Sequence, residues 1–283
     1  GILCRHLAQS GWDVRSAVLR EPLTPASEFR CDVTDFDQVD AVIDWASPVD
    51  VIFHLAALTF VPDSIQHPRR TMRVNVEGTM NVLEACHTRV PQSRFLFVST
   101  SEIYGPPIQL PISEDHPLNP QNPYAISKSA ADSYCAFFHN GTGYDAVRMR
   151  PFNHSGPGQS DQFVLSSLAR QIARAEAGKA EPIVRVGNLD ARRDFLHVND
   201  VVRAYERAAL HGVAGEAYNI ASGNTVSIRD ALEMLLGMST TKIAVEPDPE
   251  RLRPVEVFEV AGSSEKLTAA TGWQPELPVE ALL

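Results

Sequence analysis

The stretch Val49-Asp50-Val51-Ile52-Phe53-His54-Leu55-Ala56-Ala57 is a nearly continuous apolar run, the pattern of a parallel strand covered on both faces. It ends on small side chains, where a ligand can come close to the backbone. Further strand candidates are Asp13 to Leu19, Phe29 to Cys31, the run Arg94-Phe95-Leu96-Phe97-Val98 leading to Thr100, and Asp145 to Arg150. Between them the spacing predicts helices near Phe36 to Ala46, Arg69 to Arg89 and from Tyr124 onward. Strand and helix alternate, which predicts an α/β chain with a parallel sheet whose ligands lie beyond the carboxyl ends of the strands. Ala56, Thr100 and Pro151 each follow such an end.

After Pro151 the texture changes. Phe152 to Gln159 reads as loop, Gln162 to Ala177 as helix, and shorter elements follow to the end, which predicts a smaller substrate lobe over residues 151–283 after a ligand-binding domain over residues 1–150. The chain is expected to re-enter the first domain around residues 194–222. A length of 283 residues accommodates both. Gly1 to Ala8 reads as a helix with no strand before it, so the first strand of the fold is expected to be missing from this chain.

A net charge of -10 argues against a general nucleic-acid binder. No apolar run approaches the roughly 18 residues of a membrane span, so no membrane insertion is expected. Cys4, Cys31, Cys86 and Cys135 lack a Cys-x-x-Cys spacing, and the histidines lack a ligand spacing, so no metal is expected and reduced cytoplasmic thiols are the simpler reading.

Tyr124 and Lys128, in Asn122-Pro123-Tyr124-Ala125-Ile126-Ser127-Lys128, are one helical turn apart and share a face. An ammonium there is expected to favour the phenolate and bring the Tyr124 pKa down towards neutrality. Alone, such a pair is an ordinary feature of a helix. Here it follows Thr100, whose hydroxyl is expected to grip the same substrate oxygen, and the three groups would polarise a carbonyl or alcohol for hydride transfer.

Four separated motifs carry a resemblance: His54-Leu55-Ala56-Ala57, Ser99-Thr100-Ser101-Glu102-Ile103-Tyr104-Gly105, Tyr124-x-x-x-Lys128 with its leading Asn122-Pro123, and Arg150-Pro151-Phe152-Asn153. Together they resemble the extended short-chain dehydrogenase/reductases, which act on nucleotide sugars and bind a nicotinamide cofactor on a Rossmann-type doubly wound sheet. More narrowly, Arg150 to Ser160 and Val186 to Phe195 look like the GDP-6-deoxymannose reductase group, with GDP-mannose 4,6-dehydratase a near relative.

The resemblance implies that Gly1 is the second glycine of the cofactor turn, with Cys4 where a third is usual. It implies that Asp32 and Val33 hold the adenine, that Leu55, Ala56 and Ala57 line the path of the dinucleotide, and that Lys128 holds the nicotinamide ribose. Arg20, at the end of the family's second strand, favours a ribose 2′-phosphate and hence NADP(H) over NAD(H), although Glu21 follows it. Asn153 is implied to contact the sugar diphosphate, and Arg193 and Arg253 to clamp its phosphates, with Arg192 left on the surface. The implied reaction is NADPH-dependent reduction of the 4-keto group of a GDP-4-keto-6-deoxy-sugar by a homodimer. Glu102 stands where the dehydratase carries its base, which keeps dehydratase as an alternative. A catalytically silent NADP-binding scaffold is the alternative from another class.

Overall fold

Phe95, Leu96 and Phe97 are consecutive, completely buried, and point to opposite sides of one strand, so this strand has a core on each face. In the computed structural model, which describes residues 1–21, 23–24, 26–251 and 257–282, that strand lies inside a parallel sheet. Along the chain, α1 (Ile2–Gln9), β1 (Ser16–Val18), β2 (Glu28–Arg30), α2 (Phe36–Ala46) and β3 (Val51–His54) come first. Then follow α3 (Val61–Gln66), α4 (Pro68–Met72), a π-helical turn Arg73–Glu77, α5 (Gly78–Arg89) and β4 (Arg94–Val98). A 3-10 turn Ser101–Tyr104 leads to α6 (Pro123–Thr142), β5 (Ala146–Pro151) and β6 (Asn153–Ser155).

The remaining elements are α7 (Val164–Glu176), β7 (Ile183–Val186), β8 (Arg192–Arg193), β9 (Phe195–His197), α8 (Val198–His211) and β10 (Ala217–Ile220). The last are β11 (Val226–Ser227), α9 (Ile228–Met238), β12 (Ala244–Pro247), β13 (Glu259–Val260) and α10 (Glu265–Thr271). The main sheet has the order β10-β5-β4-β3, with every neighbour parallel; β1 and β2 form a separate parallel pair. One face packs on α2, α5 and α6 through Val39, Leu83 and Ala131; the other packs on α8 and α10 through Val201, Tyr205 and Leu267. A third core, around Leu168, Ile172, Val184 and Leu232, unites α7, β7 and α9.

Two expectations need correction. The run over β3 was expected to be covered on both faces, but Val51, Ile52 and Phe53 are only half-buried, because β3 is the margin of the four-stranded sheet. Phe152 to Gln159 is not all loop: Asn153–Ser155 is β6, paired in parallel with β9, some forty residues on in sequence. Asp194 alone separates β8, in the small β11-β8-β13 sheet, from β9, so this part of the molecule is knitted by short, distant pairings. Among the described residues no helix is long and apolar enough to cross a membrane.

Candidate active site at the carboxyl ends of the strands

Asn122 starts α6 and fixes where Tyr124 stands. Its side-chain oxygen accepts from the Ala125 amide at 2.8 Å, Pro123 occupies the first helical position, where no amide hydrogen is needed, and Ser64 of α3 accepts from the Tyr124 amide at 3.2 Å. The Asn122 amide group also donates to the Glu102 carboxylate at 3.3 Å, tying the helix start to the turn that follows β4. Thr100 caps that turn, its hydroxyl accepting from the Glu102 amide at 3.3 Å.

The Thr100 hydroxyl lies near enough to the Tyr124 phenol to favour its ionised form. Both residues are 8 % exposed, so each keeps only a small edge open to solvent. Burial pushes the phenol up to about 12; the neighbouring Thr100 hydroxyl opposes the rise and the nearby Glu102 carboxylate adds to it. The sequence expectation of a lowered phenol is therefore corrected: desolvation outweighs any help from Lys128, and Tyr124 is a protonated acid at neutral pH.

Lys128 lies one turn further along α6 and is 3 % exposed. Its ammonium sits 4.2 Å from the centre of the Phe97 ring, an attraction that offsets part of its lost hydration. Burial brings its pKa down to about 8, opposed by charges that include Asp132 on the next turn. Below it His54 is bonded to the Thr79 hydroxyl at 3.0 Å and pushed down to about 3, first by burial and then by the Lys128 charge, so its imidazole is neutral.

The loop after β3 exposes Leu55 and Ala56, with Ala57 half-buried, and the small side chains leave the backbone approachable. Asn75 holds this loop and is a residue that sequence reasoning missed. It lies in the π-helical turn, is fully buried, accepts from the Leu58 amide at 2.8 Å, and donates to the Leu58 carbonyl and to the Ser127 hydroxyl, each at 2.9 Å. A π-turn in a long helix is a frequent mark of a functional position and the one local signal available, but it is not legible from residue types. Beside the loop a cleft of about 420 Å³ is lined by Ala57, Leu58, Thr59, Phe60 and Asp63, and closed by Gln162 from the C-terminal side.

Asp32 follows β2, and its carboxylate is kept below its ordinary range by the Thr34 amide and hydroxyl, at 3.0 and 2.9 Å. Val33 accepts from Asn81 through its carbonyl, and packs so closely on α5 that a Cβ on Gly78 would lie 2.7 Å from its side chain. Arg20 follows β1 and is exposed; its guanidinium is held by Glu28 at 2.9 and 3.2 Å, while Glu21 pairs with Arg30 at 2.7 Å. Gly1 is exposed at the start of α1.

The Asn153 side chain is exposed just past β5. Arg193 is half-buried and donates to the carbonyl of Arg192 at 2.8 Å. Arg192, expected on the surface, has a side chain that is 36 % exposed and is tied to the Thr225 hydroxyl and carbonyl at 3.2 and 2.9 Å and to Glu259 at 3.4 Å. Arg253 lies outside the described residues. Among the described residues no cluster of His, Cys, Asp or Glu is arranged to hold a metal ion.

A doubly covered parallel sheet with a Tyr-x-x-x-Lys tyrosine beside a threonine hydroxyl at its carboxyl edge defines an extended short-chain dehydrogenase/reductase. Within that class the chain belongs to the GDP-mannose 4,6 dehydratase family, whose model matches residues 17–283. It is 41% identical to the GDP-6-deoxy-D-mannose reductase of Pseudomonas aeruginosa over 238 residues, 83% of this chain and 78% of that one. It is 30% identical to the GDP-mannose 4,6-dehydratase of Sinorhizobium fredii over 272 residues, 89% of this chain and 77% of that one. Among solved structures, RMD from Pseudomonas aeruginosa complexed with NADPH superposes with a TM-score of 0.87 at 37% identity, covering 100% of this chain and 93% of that one.

Proposed function

We propose that the protein is an NADPH-dependent reductase of the 4-keto group of a GDP-4-keto-6-deoxy-sugar, forming a GDP-6-deoxy-D-mannose type product. The observation that carries this reading is the Thr100 hydroxyl set beside a Tyr124 phenol that burial keeps protonated. The ketone oxygen sits against both hydroxyls, and Tyr124 delivers its proton as the alkoxide forms. NADPH, when bound, supplies the hydride. Lys128 keeps a positive charge under the site at neutral pH and holds the nicotinamide ribose. Asn153 and Arg193, with Arg253, hold the sugar diphosphate, and planar guanidinium donors suit that task. The similarity to a reductase of that name and to a structure containing NADPH supports the assignment, as does Arg20 at the adenosine end.

Glu102 favours a second reading. Its carboxylate is close enough to Tyr124 to bear on the phenol, and it is positioned by Asn122. A carboxylate there could remove a proton next to the carbonyl, the step a dehydratase requires. Incubation with GDP-mannose separates the two: a 4-keto product formed without net NADPH consumption supports dehydratase, and inertness towards GDP-mannose with consumption of the 4-keto sugar supports reductase.

We place the enzyme in the cytoplasm, as a homodimer formed across the helical stretch Arg69 to Arg89 and α6. Met72, Ile126 and Phe137 are exposed on these helices, which supports that face. Sedimentation of the parent chain and of a Phe137→Glu variant tests it, with a monomeric parent as the contrary result.

A further inference from the structure

Two of the motifs contain side chains that the chemistry above does not use: Tyr104, at the end of the turn carrying Thr100 and Glu102, and Arg150, at the end of β5 just before Asn153. Tyr104 is completely buried and Arg150 is 5 % exposed. The Tyr104 hydroxyl accepts from Arg150 at 2.9 Å and donates to the Asn219 side-chain oxygen on β10 at 2.7 Å. Arg150 in turn grips Asp132 with two parallel bonds, at 3.1 and 2.8 Å, and Asp132 lies on α6 one turn beyond Lys128. Arg148 adds a third bond to Asp132 at 3.0 Å.

The network therefore joins four elements, and three of them each carry a group assigned above. The turn carries Thr100 and Glu102, α6 carries Tyr124 and Lys128, and β5 leads to Asn153; β10 closes the set. Gly105 locks the turn from its other end, since a Cβ there would lie 2.0 Å from the Asn119 carbonyl oxygen. The Tyr104 hydroxyl is the one atom through which the turn reaches both Arg150 and Asn219.

We infer that Tyr104 is a positioning residue: its hydroxyl, braced by Arg150, Asp132 and Asn219, sets the distance between the Thr100 turn and the Tyr124 helix and so the closeness of the two hydroxyls on the substrate oxygen. Reactions of this kind are sensitive to displacements of about 1 Å, which can cost on the order of a hundredfold in rate. The inference rests on the reductase reading given above.

Tyr104→Phe tests it, because the ring is kept and only the hydroxyl is lost. Tyr144→Phe is the matched control: it deletes another buried hydroxyl, bonded to Ser93 at 2.8 Å, at the amino end of the same sheet. With 4-keto sugar and NADPH, kcat of Tyr104→Phe is expected to fall by roughly ten- to a hundredfold. KM for NADPH is expected to stay within about twofold of the parent, and the Tyr144→Phe rate to stay near the parent's. A parent that reduces the sugar together with a Tyr104→Phe variant of equal kcat overturns the positioning role alone. So does an equal loss of rate in Tyr144→Phe, which would make the effect one of general stability. A parent inert towards the 4-keto sugar overturns the reductase reading and this inference with it.

Discussion

The two ends of the proposed cofactor path are built in opposite ways. At the adenosine end, Arg20, Glu21, Glu28 and Arg30 form ion pairs in which the arginine side chains are 49% and 62% exposed. At the catalytic end, Asp132 and Arg150 form an ion pair that is 1% and 6% exposed, roofed by Tyr104. Exposed pairs are screened by water and salt and rearrange at little cost, so Arg20 can leave Glu28 for a ligand phosphate. A buried pair cannot let go without stranding a charge. The adenosine end is thus adjustable, and the chemical end is rigid.

The first way to break this comparison is Tyr124→Phe, which removes the acid from the rigid end. Turnover is expected to fall by roughly 10²–10⁴-fold while NADPH binding, followed by fluorescence titration, is spared; retained turnover would remove the role of the phenol. Next is Asp132→Asn, which leaves two guanidinium groups without their carboxylate and is expected to cost about 3–5 kcal/mol in urea unfolding. A loss below about 1 kcal/mol would show that the buried network does not hold the fold together.

Lys128 gives a pH-dependent test. Its pKa is brought down to about 8 in the folded chain and stands near 10.5 when unfolded, so below pH 8 both states are charged and burial of the charge is fully unfavourable. Between about 8 and 10.5 the folded chain releases the proton first, and stability gains as pH rises. The advantage of Lys128→Met over the parent is therefore largest near neutrality and shrinks by roughly 3 kcal/mol by the upper end of that window. An advantage independent of pH would contradict a desolvated ammonium. The smallest effect belongs to the adjustable end: Arg20→Ala is expected to weaken NADPH by about tenfold and NADH hardly at all, with the loss diminishing at high salt. Equal losses for both cofactors would place Arg20 away from the 2′-phosphate.

The local parts of this design were legible in the sequence. The helices expected from Tyr124 onward and over Phe36 to Ala46 are where the spacing put them, and the structure shows them capped by Asn122 and Asp35. Buried runs such as Arg94 to Val98 show the strands, and their alternation with helices shows that the sheet is parallel. What stayed hidden depends on partners distant in the chain. β6 exists because Phe195 to His197 lies beside it. The Tyr124 phenol is raised and not lowered because helix packing removes its water, a quantity no four-residue spacing reports. Glu28, eight residues from Arg20, competes for its guanidinium only because the chain turns back there. Tyr104 and Asn219 meet across 115 residues.

The central claim is that Tyr124 and Thr100 hold a sugar ketone for reduction. It is tested most directly by supplying GDP-4-keto-6-deoxymannose with NADPH deuterated at the transferring position and locating the label in the product. Deuterium at carbon 4, one per NADPH consumed, is the expected result. Unlabelled product, or no consumption of NADPH, would contradict it.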